Sequence, residues 1–107
     1  MSSKRAALNL HGSGRSAWLR RRALRLVCEW PGCTAASLAG REAVPGSRDE
    51  VEIAIDLRKR LPELEDRGLV HGVEDETGAT DVRWYAGRDA DEAERLRASV
   101  AELEREP

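Results

Sequence analysis

The sequence predicts a mainly helical α+β domain closed by one small β-hairpin, with a further helix after it. Three observations predict this class. Residues 47–66 form a capped segment with an apolar stripe at helical spacing, and two short apolar runs at 69–85 flank a turn containing glycine. Helix-stopping residues then recur at Pro31-Gly32, Gly40 and Gly68, which cuts the remainder into elements of ordinary length.

The segment 47–66 is the one around which the others are arranged. The Ser47 hydroxyl can cap the amide of Glu50, while the Glu50 carboxylate can reach back to the amide of Ser47. Wound at roughly 100° per residue, Ile53, Leu57, Leu61 and Leu64 fall within about 80° of one another and make one apolar face. Arg48, Glu52, Ile55 and Lys59 take the other. A rival reading exists, because Val51, Ile53, Ile55 and Leu57 also alternate with Glu52, Ala54 and Asp56, as a strand would. The cap and the leucine spacing favour helix. Pro62 lacks an amide hydrogen and crowds the carbonyl of Arg58, so a bend is expected between Arg58 and Pro62, with Gly68 ending the segment.

Upstream, residues 1–15 are small, polar and basic and read as a disordered arm. A helix is expected from a Ser16 cap to Glu29, burying Leu19, Ala23, Leu26, Val27 and Trp30 and turning Arg20, Arg21 and Arg25 outward. Thr34 caps a short helix from Ala35 to about Gly40, with Leu38 directed at the core. Downstream, Val82 and Trp84 share one hairpin face over Leu69, while Arg83 and Tyr85 share the other. The last helix, Asp89 to Glu106, carries Ala93, Leu96, Val100 and Leu103 at heptad spacing. Two heptads are too short to stand alone, so this stripe either packs on the domain or forms a homodimer interface with its twin, and its narrowness and charged flanks favour the homodimer.

Charge is unevenly distributed. Residues 1–25 hold seven bases and no acid, whereas the remainder holds eleven bases and all twenty acids, a net of -9. A basic arm on an acidic body suggests two surfaces with different partners. No apolar run reaches the roughly 20 residues needed to span a bilayer, so a cytoplasmic protein without membrane contact is expected.

Chemistry-bearing constellations are few. Cys28 and Cys33 have the spacing of a possible disulfide or thiolate pair, but zinc needs about four ligands, and the other candidates of the right type are His11 and His71. One core cysteine and one turn cysteine is the plainer reading. Neither a nucleophile beside a histidine nor a phosphate loop is present, so no enzyme and no cofactor are expected.

Two helices, a turn and a longer capped helix have the layout of a helix-turn-helix, and the hairpin then stands as a wing. Residues 16–85 resemble winged helix-turn-helix DNA-binding proteins through three runs: residues 34–39, residues 58–70 and residues 77–84. The run 60–70 is similar to small winged-helix proteins of phage and prophage genomes, and to bacterial repressors with a dimerising last helix. This resemblance implies a domain at 16–87 and a dimerising helix at 88–107. It also implies a DNA-binding transcription regulator whose 47–66 helix enters the major groove of double-stranded DNA. Carried over, Ser47, Arg48, Glu52, Ile55 and Lys59 would face bases and nearby phosphates. Arg20, Arg21, Arg41 and Arg83 would meet the backbone.

The sequence departs from that pattern at the acidic tip Glu74, Asp75 and Glu76, and at Asp49, Glu50 and Glu52. Carboxylates near phosphate oppose binding. The alternative is therefore a winged helix used for protein interaction, its acidic wing and outer face docking on a basic partner.

Overall fold

The computed structural model describes residues 14–74 and 82–105, with side chains through Glu102. Among these described residues six elements follow in order: α1 (Arg15–Glu29), α2 (Ala35–Glu42), α3 (Arg48–Asp66), β1 (Val70–Glu74), β2 (Val82–Ala86) and α4 (Ala90–Arg105). The molecule is thus mainly helical with one antiparallel hairpin. Most of the expected arm, residues 1–13, and the tip residues Asp75 and Glu76 lie outside the described residues, as does the side chain of Leu103.

The α3 segment is helical from end to end, and the strand alternative for residues 51–57 does not hold. Ser47 accepts from the amide of Glu50 at 3.2 Å. The return half of the cap is shifted by one residue, because the Glu50 carboxylate accepts from Gly46 at 3.1 Å. Gly46 has φ +82°, a conformation that glycine enters at low cost and that aims its amide at the carboxylate. Pro62 sits inside α3 without ending it. Ala54, Leu57, Leu61 and Leu64 are buried, with Ile53 half-covered beside them.

These residues meet Ala23, Leu24, Leu26 and Val27 of α1 and Leu38 and Ala39 of α2 in one core. At roughly 25 cal/mol for each Å² of apolar surface removed from water, every fully buried leucine here stabilises the fold by about 2 kcal/mol. Thr34 caps α2 by accepting from Ser37 at 3.1 Å. Gly14, not Ser16, precedes α1, and it offers no side-chain cap. Trp30 was expected in the buried stripe, but α1 stops at Glu29 and the backbone of Trp30 turns out of the helical path (φ -130°, ψ 66°). Its indole is left exposed.

The hairpin pairs Val70 with Ala86, Gly72 with Trp84 and Glu74 with Val82. Trp84 also bridges to Cys33: its amide donates to the Cys33 carbonyl at 3.0 Å, and its carbonyl accepts from Gly32 at 2.8 Å. The turn between α1 and α2 therefore lies beside β2 as a third, one-residue strand. On the far edge, the amide of Gly72 donates to the Glu65 carboxylate at 2.9 Å. The Trp84 ring closes the core, as its side of the strand predicts, while Tyr85 on the other side stacks on His71 with centroids 5.4 Å apart.

Helix α4 lies against α1 and β2. Val100 is buried in the chain's own core, and Ala93 and Leu96 pack against that core. These three side chains, candidates for a dimer contact, are thus placed in the intramolecular option that the heptad spacing left open. Arg97 adds a tether by donating to the Cys28 carbonyl at 2.7 Å.

Candidate nucleic-acid interface

A helix packed on one side presents its other side, and α3 does so over more than three turns. Arg48, Val51, Glu52, Ile55, Arg58 and Lys59 are all exposed. Arg48 is 92 % and Glu52 65 % exposed, and the two pair at 3.7 Å across one turn. Such a pair contributes about 0.3–0.5 kcal/mol and opens readily when a stronger partner arrives. Val51 and Ile55 are 56 % and 60 % exposed, a high fraction for β-branched apolar side chains on a helix whose inner face is full.

Four of the expected contact residues, Arg48, Glu52, Ile55 and Lys59, therefore share one open face, with Ser47 as the cap at its start. Sequence reasoning missed Val51 and Arg58. Both lie on that face by the same spacing, since 48, 51, 55, 58 and 62 continue the three-and-four step, and the signal was present. Between α2 and α3 a shallow groove is lined by Ala36, Ser37, Gly40, Glu50, Val51, Ala54 and Arg58. Small residues on α2 leave it open. A Cβ at Gly40 would stand 3.1 Å from the Glu50 carboxylate, so this glycine leaves room for both the cap and the groove.

The arginines of α1 stand elsewhere. Arg20 reaches Glu63 at 3.5 Å, and Arg22 reaches Asp56 at 3.3 Å. Arg60 joins both acids, to Asp56 at 3.3 Å and Glu63 at 3.5 Å. The result is a five-membered ion network that fastens α1 to the flank of α3 beside its open face. Arg25 turns to Glu42 at 3.0 Å. Arg21 is half-buried and has interactions of its own. The outward arginine row expected along this helix is therefore largely drawn onto carboxylates of neighbouring elements, because those carboxylates lie within reach once the helices pack.

Arg41 and Arg83 gather at the turn between α1 and α2. The Arg41 guanidinium lies 4.2 Å from the centroid of the exposed Trp30 ring, and Arg83 donates to the Gly32 carbonyl at 3.3 Å. Stacking leaves the edge of a guanidinium able to donate, so this corner can still receive an anion. Glu74 is exposed on β1.

Cys28 and Cys33 are free thiols. Burial pushes the Cys28 thiol up from 9.0 to about 11, with Glu29 adding to the rise and Arg97 opposing it. Cys28 is accordingly an inert packing residue at neutral pH. Among the described residues no group of three or more histidines, cysteines or carboxylates is placed to hold a metal ion, and no helix is long and apolar enough to cross a membrane. Compared with known proteins, the chain matches no family model, no curated protein and no solved structure.

Proposed function

We propose that this chain is a winged-helix DNA-binding regulator that lays α3 in the major groove of duplex DNA. One observation carries the reading. Helix α3 is capped and buried along its inner side, yet its outer side stays open with Arg48, Val51, Glu52, Ile55, Arg58 and Lys59 in one continuous row. A major groove about 12 Å wide admits a helix of that form. The strand-like contact of Cys33 with Trp84 supports the winged arrangement, since it ties the hairpin to the turn before α2. Arg41 and Arg83, at that same corner, are suited to phosphate.

The row bears three cations, Arg48, Arg58 and Lys59, against Asp49 and Glu52. Its charge surplus is small, so most of the affinity must come from fit to base edges. A protein-docking reading is favoured by the exposed Val51 and Ile55 together with the exposed acid Glu74. The two readings part on salt. Binding of a labelled duplex enriched from a random pool should weaken with a log-log slope of roughly 0.9 per phosphate contacted. Reversing Arg58 and Lys59 to Glu should abolish it. No duplex bound at low micromolar protein and low salt, with a host protein retained by the charge-reversed chain, would establish docking instead.

A further inference from the structure

Resting on that DNA reading, we infer that the face of α3 selects thymine 5-methyl groups, with Val51 and Ile55 as its specificity-determining residues. Both side chains are more than half exposed, and they sit one turn apart at the middle of the row. Cations flank them, Arg48 on one side and Arg58 and Lys59 on the other, so the apolar pair is held between groups that seek phosphate or guanine. In the major groove, the apolar feature that distinguishes one base from another is the thymine methyl.

Spacing argues the same. Four residues of helix advance about 6 Å, and two base steps advance about 6.8 Å. Val51 and Ile55 therefore reach methyl groups two steps apart on one strand. The groove beside Val51 offers such a methyl the small apolar surfaces of Ala36, Gly40 and Ala54, with Glu50 and Arg58 completing its lining. A protein partner could also cover this pair, but the row's surplus of one positive charge, Arg48, Arg58 and Lys59 against Asp49 and Glu52, favours the duplex.

The test uses the full chain and a duplex enriched from a random pool, remade with deoxyuridine in place of thymidine. The duplex should carry thymines two steps apart. Loss of one methyl should weaken binding about fourfold, and loss of two about fifteenfold. Replacing Val51 and Ile55 by Ser should remove the difference between thymine and uracil duplexes while leaving the salt slope unchanged. Equal affinity of the natural chain for both duplexes overturns the methyl assignment and leaves DNA binding standing. Failure to bind any duplex overturns both, and a doubled mass by light scattering would then assign the patch to a second copy of the chain.

Discussion

Asp56→Ala is expected to destabilise the fold by about 2 kcal/mol, although this residue touches no proposed ligand. Its carboxylate accepts from Arg22 at 3.3 Å and Arg60 at 3.3 Å. The Arg22 side chain is only 11 % exposed and that of Asp56 18 %. Exposed pairs contribute about 0.2–1 kcal/mol, and removing one partner of a fully buried pair costs about 3–5 kcal/mol. This site lies between those limits. The cost is raised because the Arg22 Nε is already buried with no partner, so losing Asp56 strands more of the same guanidinium. Urea unfolding followed by far-ultraviolet circular dichroism would give the change, and heating should show a midpoint lower by roughly 10 °C. Glu52→Ala is the control, since its pair with Arg48 is open to water, and it should shift stability by less than about 0.5 kcal/mol. An Asp56→Ala chain no less stable than that control would show that the network is a surface decoration.

Other expectations follow from the same structure. Val100→Ala should cost about 2 kcal/mol by the same unfolding measurement, and its midpoint should not depend on protein concentration if α4 packs within one chain. Because the Cys28 thiol is raised to about 11 in the fold, its contribution is fully present below pH 9 and is lost as pH climbs toward 11. Stability measured across that window should fall, and Cys28→Ser should flatten the fall. Gly32→Ala should cost about 1–2 kcal/mol, because Gly32 has φ +83° and an added methyl carbon would stand 3.3 Å from the Tyr85 hydroxyl.

What the sequence made legible was local. The Ser47 cap, the spacing of Leu57, Leu61 and Leu64, and the apolar flanks of the hairpin act over a few residues, so a one-dimensional reading finds them. The ion pairs of the α1 arginines were not legible because the partners are remote: Arg22 and Asp56 are 34 positions apart, Arg20 and Glu63 are 43. Spacing along one helix cannot reveal an acid on another. Trp30 kept the period of the stripe but lay one residue past the helix end, where period no longer dictates direction. The stripe of α4 was ambiguous for a further reason. Heptad spacing reports that a face must be covered and is silent on whether the cover is the same chain or a second one.

The hairpin has a consequence for how these molecules behave when crowded. A bare strand margin invites another chain to add itself, and an exposed β1 with Val73 outward would be such a margin. Here the Glu65 carboxylate occupies the outward amide of Gly72, and Gly32 and Cys33 occupy the outward groups of Trp84 on the opposite side. The middle of the ribbon is thereby engaged on both flanks, which hinders edge-to-edge pairing there while the helical face stays open.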